Sequence, residues 1–155
     1  MSSTATILLI DDDQNDIFIM KRALSRAGVR QAVQVVCDGQ EAKDYFEGLG
    51  KFADRGVHPL PCLVLLDIKM PRVTGLEWLR WLRSLPSFSD TPVCMVTSSD
   101  EPGDRNEATS QGIEAYCVKP VSFDDLVKLA GTIRIEAEEH CESAGDPEGK
   151  SCPAE

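Results

Sequence analysis

At 155 residues the chain suits one domain with a substantial core. Its 42% hydrophobic and 27% charged residues are those of an ordinary globular protein. A formal net charge of −10 argues against generic phosphate-backbone binding. No apolar run approaches the roughly 20 residues of a membrane helix, and no basic segment precedes the first one. The expectation is a cytoplasmic protein without membrane insertion.

Strand-like and helix-like segments alternate along the chain. Ala5 to Ile10 is a short apolar run that ends in Asp11-Asp12-Asp13, and it reads as a first strand. From Asp16 to Ala27, Ile17, Met20, Leu24 and Ala27 recur at helical spacing, and Gly28 supplies a stop. Val33 to Val36 is a second strand. Asp38 with Glu41 has the pattern of a capping box and opens a helix through about Glu47. A lengthened connection, residues 48–61, leads to Leu63–Leu66, whose continuous apolar character suits a central strand covered on both faces.

Thr74 caps a helix through Trp78, Leu79, Leu82 and Leu85 that ends near Pro86. Val93 to Val96 is a fourth strand. The polar stretch Asp100 to Gln111 should hold a helix, a marginal one because it contains Gly103 and few apolar residues. Ala115 to Val118 is a fifth strand, and Ser122 or Phe123 begins a last helix with Leu126, Val127, Ala130 and Ile133 on one face. Residues 136–155 hold seven acids and one base, a net of −6 that leaves −4 for the first 135. With several Gly and Pro, the expectation is a single folded unit over 1–139 (core 5–135) and an acidic disordered tail over 140–155. Six cysteines show no CxxC and no His at metal-ligand spacing, so buried thiols are expected and a disulfide framework is not.

Alternating strands and helices imply parallel βαβ units, hence a doubly wound (βα)5 sandwich around a five-stranded parallel sheet. Ligands in such sheets bind at the carboxyl ends of the strands. Those ends carry Asp11-Asp12-Asp13, Asp67, Thr97-Ser98 and Lys119-Pro120. Carboxylates about 5 Å apart repel by roughly 3 kcal/mol at an effective dielectric near 20, so a cluster of them needs a counter-charge. A hard cation such as Mg²⁺, with Lys119 beside it, supplies one. Asp67 is then placed to attack a phosphorus atom, with Lys119 neutralising charge and Thr97 donating to a phosphoryl oxygen. Asp13 suits a helix cap.

The phrases ILLIDDDQNDIF, LVLLDIKMPRVTGLEWL, MVTSS and AYCVKPVS together resemble the CheY-like receiver domains of bacterial response regulators over residues 5–135. The resemblance implies a flavodoxin/CheY-like fold and a phosphoacceptor signalling protein rather than an enzyme with a separate substrate. It implies that Asp11 and Asp12 hold Mg²⁺ together with Asp67 and the backbone carbonyl of Lys69. It makes Asp67 the phosphoacceptor, Thr97 and Tyr116 the switch residues, and Lys119 the phosphate-binding lysine. It further implies a cis Lys119–Pro120 peptide and a turn at Pro71 and Gly75.

The long 48–61 connection and the KMPRVTGLEWLRWLR phrase resemble small stand-alone regulators that partner phytochrome-type and other sensor kinases. The implied partners are a histidine kinase or a histidine phosphotransfer protein, with no DNA contact. A homodimer through the polar helix of residues 100–111, the fifth strand and the last helix (helix 4, strand 5 and helix 5) is a further expectation. Two other readings compete. A haloacid-dehalogenase-type phosphatase would use Asp11 as nucleophile, but Asn15 stands where its motif needs Thr or Val. A receiver fold acting without phosphorylation would leave the acid–Thr–Lys set unused.

Overall fold

The computed structural model describes residues 5–145. Five strands, β1 (Thr6–Ile10), β2 (Ala32–Val36), β3 (Leu63–Leu66), β4 (Val93–Thr97) and β5 (Ala115–Val118), form one parallel sheet in the order β2-β1-β3-β4-β5. Between and after them lie α1 (Gln14–Arg26), α2 (Gly39–Glu47), α3 (Gly75–Arg83), α4 (Pro102–Ser110) and α5 (Phe123–Gly145). The doubly wound (βα)5 expectation is met. No helix among the described residues is long and apolar enough to cross a membrane.

Side chains alternate across a strand with period two, and the central strands accordingly feed two cores. Ile7, Leu9, Leu63, Leu65, Cys94 and Val96 pack with α1 and α5. Leu8, Ile10, Val64, Leu66, Val93 and Met95 pack on the opposite face with α2, α3 and Ala108 of α4. The helix ends follow local chemistry. Asp13 caps α1 by accepting from the Asp16 N–H, and Thr74 and Glu77 form a reciprocal capping box on α3. At α2 the box is altered: Asp38 accepts from Glu41, but the Glu41 carboxylate takes the N–H of Cys37. Helix α4 forms with Pro102 in its first turn and buries only Ala108.

The long connection after α2 is held in place rather than loose. It makes a 3₁₀ turn at Gly50–Phe52, and the Arg55 guanidinium donates to the carbonyls of Tyr45, Phe46 and His58. Phe52 and His58 pack against Tyr45, whose hydroxyl donates to the Pro59 carbonyl.

Three expectations are corrected. Helix α5 continues to Gly145, past the boundary at 139, because Ala137 and Cys141 extend its apolar face into the core. The rest of the expected tail, residues 146–155, lies outside the described residues. Cys62 and Cys141 form a disulfide, which spacing could not show because 79 residues separate them; Cys37, Cys94 and Cys117 are free thiols. The Lys119–Pro120 peptide is trans. An X–Pro bond favours trans by only about 1 kcal/mol, so the dipeptide itself does not choose the isomer.

Candidate phosphoacceptor site

The direction of winding reverses between β1 and β3, and the residues that follow these strands meet there. The Asp67 N–H donates to the Ile10 carbonyl (3.1 Å), which sets Asp67 beside Asp11. Both carboxylates are almost closed off from solvent, with residue exposures of 2% for Asp11 and 6% for Asp67, while Asp12 is exposed. Asp11 Oδ1 accepts from the Asp13 N–H at 3.0 Å. Asp67 Oδ1 accepts from the Lys69 N–H at 3.3 Å.

Gly75 explains why the chain after Asp67 folds so tightly. A Cβ there would lie 2.1 Å from the Asp67 carbonyl oxygen, a separation no side chain tolerates. Gly39 has the same role against Val73, where a Cβ would fall 2.5 Å from the valine Cβ.

The other two strand ends complete the cleft. Thr97 is fully buried at the end of β4, and its Oγ1 accepts from the Ser99 N–H at 3.2 Å. That leaves the threonine's own O–H proton free to donate. Lys119 follows β5, its N–H bound to the Thr97 carbonyl at 2.8 Å. Its ammonium reaches Asp11 Oδ2 (2.8 Å), Asp16 Oδ2 (3.0 Å) and Asp67 Oδ2 (3.1 Å). Burial alone would lower the lysine pKa, but the hydrogen bond to Asp11 and the charges of Asp67 and Asp11 outweigh it, so the pKa is raised. Asp11 shows the opposite balance. Loss of hydration raises its pKa, and Lys119 and the Asp13 N–H only partly offset that.

Oxygens of Asp11, Asp12 and Asp67 lie within 4.8 Å of one another. Three hard oxygens at that spacing fit a small divalent cation with oxygen ligands, and at such distances the carboxylates repel by roughly 3 kcal/mol without one. Tyr116 on β5 donates its hydroxyl to the Ser99 carbonyl (2.9 Å), and the Arg105 guanidinium covers its ring at 4.5 Å.

The structure thus brings Asp11, Asp12, Asp67, Thr97 and Lys119 to one rim, with Lys69 touching Asp67 through its backbone and Tyr116 one loop away. Two residues were not singled out by sequence. Asp16 reads as an ordinary first-turn acid of α1, though its place one turn beyond the cap Asp13 does point it back toward the strand ends. Ser99, buried and hydrogen-bonded to Asp104, links Thr97 to Tyr116; it closes the MVTSS phrase, which gave it no role.

A five-stranded parallel sheet with an acid pair, a hydroxyl and a lysine at its carboxyl edge defines a class. Residues 7–130 match the family described as "Response regulator receiver domain", and the chain belongs to that family. Among solved structures it is similar to the phosphorylated cyanobacterial phytochrome response regulator RcpA, with a TM-score of 0.78 and 27% identity over 92% of this chain and 96% of that one. The response regulator RPA3017 of red light signalling in R. palustris gives a TM-score of 0.77 and 34% identity, covering 86% and 92%. Among characterised sequences, the probable methanogenesis regulatory protein FilR2 of Methanothrix harundinacea is 31% identical over 83% of this chain and 80% of its own length. The transcriptional regulatory protein TrcR of Mycobacterium tuberculosis is 34% identical over 93% of this chain, which spans only 50% of TrcR.

Proposed function

We propose that this receiver domain accepts a phosphoryl group on Asp67 from a phosphohistidine and signals through contacts with other proteins. The observation that carries the reading is the convergence of Lys119 with the buried carboxylates of Asp11 and Asp67 beside the hydroxyl of Thr97. An oxygen of Asp67 forms the new P–O bond as the P–N bond to the donor imidazole breaks. Lys119 then turns to a phosphoryl oxygen, and the free O–H proton of Thr97 donates to another. Asp11, Asp12, Asp67 and the Lys69 carbonyl would hold Mg²⁺, which when bound neutralises charge on the transferring group. The chain acts on itself rather than on a released substrate.

The donor is a sensor histidine kinase or a histidine phosphotransfer protein. The phytochrome response regulator RcpA and the red-light regulator RPA3017 among its structural relatives support a phytochrome-type kinase. A groove lined by Phe18, Ile19, Val121 and Phe123 opens beside Asp16 and Lys119, with Phe18 and Val121 exposed, and suits the apolar face of a donor helix. Labelling by a small acyl phosphate tests the site. Wild type with Mg²⁺ takes up one phosphoryl group, whereas Asp67→Asn or chelation abolishes uptake. Stoichiometric labelling of Asp67→Asn would contradict the proposal.

A further inference from the structure

Glu114, the residue before β5, stands at the opposite end of the sheet from Asp67, and it faces two side chains of α5. Its N–H donates to the Val93 carbonyl at 2.8 Å, so its backbone is fixed. Glu136 and His140 lie one turn apart on α5, a spacing that sets both on one helix face. The neighbouring face, with Ile133, Ala137 and Cys141, is buried against the sheet and holds that turn in place. His140 Nε2 is 3.4 Å from Glu114 Oε1 and 3.4 Å from Glu136 Oε1. That nitrogen is buried and makes no hydrogen bond. The three ligand atoms lie within 4.8 Å of one another.

The spacing suits zinc better than magnesium. A tetrahedral Zn²⁺ with bonds of about 2.05 Å sets its ligand atoms about 3.35 Å apart. An octahedral Mg²⁺ sets adjacent ligands only about 3.0 Å apart. The two histidine–carboxylate separations match the tetrahedral edge. One imidazole nitrogen and two carboxylates also suit a borderline ion better than a hard one, and three protein ligands leave a fourth position for water. A lone imidazole flanked by two carboxylates, without a hydrogen bond to either, is a site short of positive charge at its centre.

We infer that Glu114, Glu136 and His140 form a zinc site that clamps α5 to the amino end of β5, separate from the Mg²⁺ cleft. The test titrates Zn²⁺ against a colorimetric competitor with the full chain, in millimolar Mg²⁺ so that the cleft is already saturated. The expected result is one tightly held equivalent that persists in Asp12→Asn. It weakens at least about 100-fold in His140→Ala and His140→Gln, and about 10-fold in Glu136→Gln. Zinc should also raise the melting temperature of wild type and not of His140→Gln, while both proteins remain labelled equally by an acyl phosphate, which shows that the variant is folded. Zinc that survives both His140 substitutions but is lost in Asp12→Asn would place the ion in the phosphoacceptor cleft and overturn the inference. Failure of wild type to outcompete the indicator would overturn it too, leaving His140 as a carboxylate-paired histidine only.

Discussion

Lys119 bridges three carboxylates, two of them nearly inaccessible, and its charge makes the cleft tolerable when no divalent cation is bound. Removing one partner of a buried pair costs about 3–5 kcal/mol, because the other charge stays buried. Lys119→Ala should therefore lose on the order of 3 kcal/mol of unfolding free energy in chelator, and less in excess Mg²⁺, measured by denaturant titration. Equal losses in the two conditions would show that cation and lysine do not share a task. Asp11, Asp67, Thr97 and Lys119 were legible because each ends an apolar strand. Asp16 was not, since only the fold brings the first turn of α1 back over the strand ends. Gly75 belongs to the same scale: Gly75→Ala drives a methyl into the Asp67 carbonyl and should destabilise by about 3 kcal/mol or more.

Among the elements, the strands and α3 stand where their patterns put them, because apolar runs and a Thr–Glu capping pair are local signals. The extent of α5 was illegible for a physical reason: its acidic surface masks an apolar stripe that continues through Ala137 to Cys141. The folding of the 48–61 connection onto α2 was equally hidden, since it depends on Arg55 reaching backbone carbonyls. Tyr45, fully buried under that connection, has its pKa pushed up to about 12 by burial. With the folded pKa above the unfolded value near 10, its contribution is complete below pH 10 and is lost as pH rises to about 12. Tyr45→Phe should cost about 1 kcal/mol at pH 8 through the lost bond to Pro59, and the gap from wild type should close and then reverse between pH 10 and 12. A gap that stays constant in denaturant melts across that window would contradict the assignment.

For the whole molecule, the Cys62–Cys141 disulfide ties the start of β3 to the last turns of α5. Closing a loop of that length removes unfolded-state entropy worth about 4.5 kcal/mol in the chain-entropy estimate. Cys141→Ser should melt well below wild type in oxidising buffer and level with it in reductant. Removing residues 141–155 should lower the melting temperature at least as far as the point variant, because it takes away Cys141 together with the helix end that carries it. Output is a matter of the whole fold as well. Thr97, Ser99 and Tyr116 form a connected path from the cleft to α4, and α4 buries only Ala108, so its rearrangement costs little. Beryllofluoride with Mg²⁺ should change amide exchange across residues 98–125 and shift the affinity for a partner or a second copy. Unchanged exchange with the mimic bound would exclude this route.

The central claim is that Asp67 takes the phosphoryl group. The most direct measurement is to phosphorylate the full chain with an acyl phosphate and Mg²⁺, reduce the aspartyl phosphate with borohydride, and map the resulting homoserine by peptide mass spectrometry. The account predicts homoserine at position 67 alone. Homoserine at position 11, or none anywhere while the donor is consumed, would contradict it.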